Sequence, residues 1–220
     1  FPLYPHYAMA TTVTVREKVK DVMKKYYPTI KLSYIESYYN YEPYIDALAQ
    51  SIQSYYKEDM HLLFSFHGVP ERHVVKTDIT KEHCMKVNNC CYSDSEAHQY
   101  CYSHQVHQTA RCVVEKMGLN QDQFSIAFQS RLGNDPWLSP ATDQKIKKLA
   151  QSGIKKLAVV CPAFVSDCLE TLEEIGEEGK EIFLEHGGNE FTLIPCLNED
   201  EAWVDTIIDL VQNRSKHILI

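Results

Sequence analysis

Apolar residues recur every three or four positions in some stretches of this chain and run together in others, and the two patterns alternate. Val15, Val19, Val22 and Met23 form a stripe that predicts a helix over residues 11–27, with Thr12 as its cap and Pro28 as its stop. Residues 30–35 alternate as a strand does. Ile45, Leu48, Ile52 and Tyr55 predict a helix over 44–56, and the apolar run 62–66 reads as a buried strand. Further on, helices are predicted over 104–116 (stopped by Gly118), 143–151 (ended by Gly153), 167–184 and 201–212, and strands over 124–128, 156–160 and 191–194. Strands that alternate with helices predict an α/β fold, a mostly parallel sheet flanked by helices. Residues 80–102 break the rhythm. They are rich in Cys, His, Asn and Ser and poor in aliphatic side chains, so they predict an insertion held by something other than a hydrophobic core.

Composition narrows the class. The 220 residues can bury a sizeable core in one or two domains, and 44% hydrophobic with 24% charged residues describes an ordered globular chain. The net charge of −8 argues against nucleic acid as a partner, because phosphate backbones call for a basic surface. No apolar run approaches the roughly 18 residues that span a bilayer, and no secretory signal is visible. There is no GxGxxG after a strand and no P-loop lysine motif, so nucleotide binding has no support. Beginning at Phe1 with no initiator methionine, the chain reads as part of something longer. All 14 tyrosines lie at or before Tyr102. They serve either an aromatic-packed first half or a wall for a large flat apolar ligand, since aromatic faces stack on π-systems.

Candidate chemistry gathers where predicted strands end, the place where ligand crevices form in open α/β sheets. His67 follows the run 62–66 and precedes Gly68 and Pro70, which puts an imidazole at a loop mouth where the backbone or a ligand can approach closely. It is either satisfied by a backbone carbonyl or free for protons and metal. In the helix predicted over 167–184, capped by Asp167, Glu170, Glu174 and Glu178 are spaced i, i+4, i+8 and so share one face, rising about 6 Å per step. Such a face is either solvated or, turned inward, a path for a hard or borderline cation. Arg131 follows the strand over 124–128 and suits either a carboxylate ligand or a plain ion pair. Cys84, Cys90, Cys91 and Cys101 fall within 18 residues, with His83, His98, His104 and His107 nearby. A local thiol cluster in a chain without a secretory signal suggests metal, zinc or an iron–sulfur cluster, over disulfides; free thiols are the alternative.

Taken together, these segments resemble ferrochelatase, the enzyme that inserts ferrous iron into a porphyrin to make haem. The resemblance rests on Pro2-Leu3-Tyr4-Pro5-His6-Tyr7 with Thr11-Thr12, Phe64-Ser65-Phe66-His67-Gly68-Val69-Pro70, Gln129-Ser130-Arg131, Pro136-Trp137-Leu138 with Pro140, Thr142 and Asp143, and Phe164-Val165-Ser166-Asp167 with Leu169-Glu170-Thr171-Leu172. It implies two Rossmann-like, chelatase-like lobes with a porphyrin cleft between them. On that reading residues 1–60 are the remainder of an incomplete first lobe, 61–200 the second lobe with the cysteine-rich insertion at 79–103, and 201–220 a C-terminal helix. His67 takes the position of the active-site histidine and Glu170 that of the facing carboxylate. Glu174 and Glu178 match acidic positions leading away from the site, Tyr4 and Tyr7 lie near the porphyrin, and Arg131 is placed on the porphyrin side. The implied substrates are protoporphyrin IX and Fe2+, in a cytoplasmic enzyme with peripheral membrane contact. Some bacterial relatives carry internal cysteines on a [2Fe–2S] cluster, which makes Cys84, Cys90 or Cys91, Cys101 and Cys112 candidates, zinc remaining the alternative. Cys168 stands where many relatives have a histidine. A cobalt chelatase acting on another tetrapyrrole, or a non-catalytic iron or redox sensor, is the competing reading.

Overall fold

The computed structural model of the chain describes residues 1–213 and 216–218. Four parallel strands form the central sheet: β2 (His61–His67), β3 (Phe124–Gln129), β4 (Lys156–Val160) and β5 (Glu190–Leu193), in the order β3-β2-β4-β5. The strand β2 lies between two neighbours and is covered on both faces, which is why it reads as an unbroken apolar run and not as an alternation. Its Leu62, Phe64 and Phe66 pack on one side against α2 (Glu42–Gln53), α4 (Tyr102–Met117) and α8 (Glu201–Asn213). Leu63 faces the other way, into a second core with Ile146 of α5 (Thr142–Gln151) and Phe183 of α7 (Lys180–Glu185). The register pairs His67 with Gln129, so β2 and β3 stop together and present their last side chains at one edge.

Every predicted strand and helix of the sheet layers is present to within two or three residues. Gly118 ends α4 in the left-handed conformation at φ 67°, as its position predicts. Three local expectations fail. Thr12 does not cap the first helix: the chain enters it through a π-type turn, Met9–Val13, and the Thr12 hydroxyl accepts from the Ala8 N–H at 3.3 Å inside that turn. The stripe on α1 (Thr14–Tyr26) stays uncovered by the described residues, with Val15, Val19 and Val22 exposed. The helix predicted over 167–184 is three pieces, α6 (Leu169–Thr171), a π-helix (Leu172–Gly179) and α7.

Short elements without a periodic signature complete the fold. They are α3 (Glu71–Thr77) and a 3-10 turn (Glu96–Tyr100) inside the cysteine-rich segment, while the alternation over 30–35 becomes β1 (Leu32–Tyr34), paired antiparallel with β6 (Lys216–Ile218). The C-terminal stretch read as helix over 201–220 is helical only through Asn213 before β6, and residues 214, 215, 219 and 220 lie outside the described residues. Among the described residues no helix is long and apolar enough to cross a membrane.

Candidate active site

His67 is the last residue of β2, half-buried, with its Nδ1 2.6 Å from the carbonyl oxygen of Gly68. A carbonyl only accepts, so Nδ1 carries the proton and a neutral ring keeps its lone pair on Nε2. Two bonds fix the backbone around it: the Tyr102 hydroxyl donates to the His67 carbonyl at 2.7 Å, and the Gly68 N–H donates to Gln129 O at 2.7 Å. Gly68 is required by this approach, since a Cβ there would stand 2.9 Å from Gln129 O and 3.2 Å from the Trp137 ring. The ring of His67 lines an apolar cavity of about 250 Å³, together with Tyr4, His6, Tyr102, Phe164 and Cys168.

Glu170 sits in the first turn of α6, half-buried. A hydrogen bond from its own backbone N–H, another from the Cys168 thiol, and the nearby His67 ring hold its carboxyl below the usual range, with burial opposing. The carboxylate is therefore ionised, with the His67 ring nearby. Burial, with the bond to Glu170 acting in the same direction, raises the Cys168 thiol and keeps it protonated. Cys168 also caps α6 in place of Asp167: its N–H donates to Thr171 Oγ1 at 3.0 Å, closing a capping box. Asp167 instead accepts from Asn198 Nδ2 at 2.7 Å and Cys196 N at 3.1 Å, tying this loop to the segment that leads into α8.

A buried polar chain sets the depth of α6 against the sheet. The Ser65 hydroxyl meets Gln129 Oε1 at 2.7 Å and Thr142 Oγ1 at 2.8 Å, and Gln129 Nε2 donates to the Glu170 carbonyl at 2.6 Å. No periodic or motif signal announces these roles. They depend on which way Ser65 of β2, Gln129 at the end of β3 and Thr142 at the start of α5 point.

The other candidates separate into distinct places. Glu174 and Glu178 line a second, polar cleft of about 200 Å³ with Ser130, Arg131 and Asp143. There the Glu174 carboxylate accepts from Ser130 N at 2.7 Å and from its hydroxyl at 2.5 Å, and Arg131 faces Asp143 at 3.7 Å. Glu178 is exposed. Tyr4 joins His67 in the apolar cavity, whereas Tyr7 lies against Tyr100, ring centres 5.0 Å apart, and lines a different small cavity.

The cysteine segment does bring its four thiols together. Cys84 hydrogen-bonds Cys101, Cys101 bonds Cys91, and Cys91 bonds Cys90. Burial pushes Cys84 up to about 11, and the bond to Cys101 together with burial pushes Cys91 up to about 12, so both are thiols. Cys112 is not in this run; its partner is Gln108. The neighbouring histidines hold backbone: His83 and His98 both reach Cys90 O, at 2.7 and 2.8 Å, and His104 reaches Cys91 O at 2.7 Å. Asp78 anchors the segment from below, its carboxylate accepting from Thr80, His83 N and Cys84 N. Among the described residues no group of three or more His, Cys, Asp or Glu side chains is arranged to hold a metal ion.

Comparison with known proteins follows the same lines. The family model described as ferrochelatase matches residues 1–215. Relatives named ferrochelatase include that of Pseudomonas fluorescens (strain Pf0-1), 46% identical over 96% of this chain and 62% of its own length. That of Stutzerimonas stutzeri (strain A1501) is 45% identical over 95% of this chain and 62% of its own, and that of Opitutus terrae is 43% identical over 96% and 61%. The chain thus spans under two thirds of the length of these relatives. A solved chain described as SirB from Bacillus subtilis with Fe3+ shares the fold at TM-score 0.58 and 13% identity, over 97% of this chain and 71% of that one. With the family model running through residues 1–215, this chain belongs to the ferrochelatase family.

Proposed function

We propose that the protein carrying this chain inserts Fe2+ into a porphyrin, protoporphyrin IX, with the ring seated in the apolar cavity beside His67. The observation that carries this reading is the pairing of a half-buried imidazole, its Nδ1–H committed to the Gly68 carbonyl, with the Glu170 carboxylate near it. Metallation replaces two pyrrole N–H protons by one Fe2+. The Nε2 lone pair of His67 accepts one of these protons from the ring face and the Glu170 carboxylate the other, and both are passed on to solvent before the next turnover. Neutral imidazole and carboxylate also suit a transient hold on a borderline cation, where thiolates would retain it. Protonated Cys168 stays out of that hold. Bending the ring exposes its nitrogen lone pairs, so a cavity that favours a bent macrocycle lowers the barrier. Glu174 and Glu178, in the polar cleft with Arg131, serve iron or proton traffic to the site.

The division at about residue 60 belongs to the same reading. It is supported by a cavity whose walls come from residues 3–11 on one side and 67–168 on the other. The thiols Cys84, Cys90, Cys91 and Cys101 supply four soft donors in one hydrogen-bonded run, with His107 bonded to Cys91, and a thiolate-bound group there would need this run to rearrange around it. We read them as the site of a [2Fe–2S] cluster, or of zinc, which would supply one-electron chemistry or cross-linking to the segment.

The deciding experiment is His67→Ala in the full-length protein, assayed for Fe2+ insertion and for porphyrin binding. Insertion is expected to fall by at least a hundredfold with binding within a few-fold of the parent, in line with the usual contribution of a general base. Near-parental turnover overturns the assignment. A sensor reading is favoured by the thiol run, and an enzyme that metallates normally after all four cysteines are replaced rules against it.

A further inference from the structure

The turn that carries Glu170 is not seated by its apolar side chains. Leu169 and Leu172, on either side of Glu170, are 71% and 53% exposed, so the packing that normally holds a helix in place is missing from α6. The π-helix that follows is seated closely: a Cβ on Gly176 would stand 3.0 Å from Leu193, and one on Gly179 3.2 Å from Ile146. Thr171 is the buried residue of α6, and its hydroxyl bonds within its own loop, to Cys168 O at 3.0 Å and Asp167 Oδ1 at 3.3 Å. What reaches α6 from the sheet is Gln129, 2% exposed, whose Nε2 donates to the Glu170 carbonyl at 2.6 Å. Among the described residues no other hydrogen bond joins the sheet to α6. The amide cannot turn round without loss. A carbonyl only accepts, so Nε2 must face Glu170, and the Ser65 hydroxyl donates to Oε1 at 2.7 Å on the other side. The main chain of the same residue serves His67: Gln129 O accepts from the Gly68 N–H at 2.7 Å, and the Gly68 carbonyl takes the Nδ1 proton of His67 at 2.6 Å.

We propose that Gln129 is a positioning residue that fixes the Glu170 carboxylate relative to His67, holding one through its side-chain amide and the other through its backbone carbonyl. Its bearing on turnover rests on the metallation reading given above. Because packing does not hold α6, losing one hydrogen bond lets the Glu170 turn withdraw from the sheet while His67 stays where β2 and β3 put it. Gln129 does not line the apolar cavity, so the seat of the ring is unaffected. The change falls on the spacing of two reacting groups, where a displacement of about 1 Å can cost on the order of a hundredfold in rate.

The test is Gln129→Met in the full-length protein, close in shape and unable to donate. The kcat for Fe2+ insertion is expected to fall at least tenfold, with the porphyrin Kd within twofold of the parent. In protein labelled with 13C at glutamate carboxyls and 15N at histidine, the Glu170 resonance is identified by its loss in Glu170→Gln and the His67 ring resonances by their loss in His67→Gln. The Glu170 resonance is expected to move, and the His67 nitrogens to keep the pattern of a proton on Nδ1. Ser65→Ala, which leaves the amide present but free to turn, is expected to move the same Glu170 resonance by less, and it stands in if the methionine variant does not fold. An unmoved Glu170 resonance overturns the positioning role, and so does a loss of porphyrin binding as large as the loss of kcat. A moved resonance with parental kcat overturns it as well. A parent that inserts no iron overturns the metallation reading instead, and the Glu170 and His67 resonances then decide the positioning by themselves.

Discussion

His6 is a base kept neutral by its surroundings. Thr109 gives its hydroxyl proton to Tyr39 O at 2.7 Å or Gln105 O at 3.2 Å, so it accepts from His6 Nε2–H, 2.9 Å away. Burial brings the His6 pKa down from 6.5 to about 3. Between those values the unfolded chain binds a proton that the folded one refuses. Stability is therefore intact above pH 6.5 and falls toward pH 3 by up to about 1.4 kcal/mol per pH unit. In His6→Gln, the loss of urea resistance between pH 6.5 and 4 should be shallower than in the parent; equal slopes would exclude His6 as the source. Gly68 makes a different demand. Gly68→Ala presses a methyl onto a backbone oxygen that cannot swing away, so a loss of about 1–3 kcal/mol is expected in chemical denaturation. Metallation should fall with it, because the same peptide carries His67.

At the scale of elements, the acidic helix changes type where the carboxylates sit. Glu170 lies in α6, while Glu174 and Glu178 lie in the π-helix, a form frequent at functional sites. Glu174 has a structural duty there, holding Ser130 in its left-handed conformation at φ 60°. Glu174→Ala should thus cost about 1–3 kcal/mol of stability by stranding the Ser130 N–H, whereas exposed Glu178→Ala should stay within about 0.5 kcal/mol. Thermal denaturation of the two variants side by side decides it. Asp78 plays the anchoring part for the cysteine segment. Burial raises its pKa, but bonds from Thr80, Cys84 N and His83 N outweigh that and leave it well below the ordinary value. Its contribution is present above about pH 4 and is lost as pH drops further, and Asp78→Asn should speed amide exchange across residues 80–92 at neutral pH. The sheet and its helices were legible because doubly covered strands read as short apolar runs and helices keep their 3.6 period. The site was legible only as far as strand ends: His67 lies near enough for its ring to act on the Glu170 carboxylate, yet Tyr7 and Arg131 face elsewhere. Nothing in the order of residues distinguishes a π-turn from an α-turn, or tells that Ser65, Gln129, Thr142 and Tyr102 do the aligning.

Across the whole molecule, the N-terminal segment and the last long helix lock onto each other. Trp203 of α8 is 2% exposed and stacks near Tyr38 at 5.9 Å, with Tyr44 at 5.9 Å and Phe1 at 6.4 Å around it. Residue 7 is fixed in turn through its N–H to Gln105 Oε1 at 2.6 Å. Trp203→Ala should cost about 3–5 kcal/mol and loosen the segment that carries Tyr4, seen as lower denaturant resistance together with weaker porphyrin binding. If porphyrin binding were unchanged, the link between the two ends of the chain would be local only.

The apolar cavity and the polar cleft share no lining residue: Tyr4 and His67 belong to one, Ser130 and Glu174 to the other. A greasy ring and a hydrated ion would then use different doors, and neither guest would bar the other's way. If the proposed function holds, turnover is expected to be of random order, with a dead-end porphyrin analogue competing with the ring and leaving the apparent affinity for iron untouched.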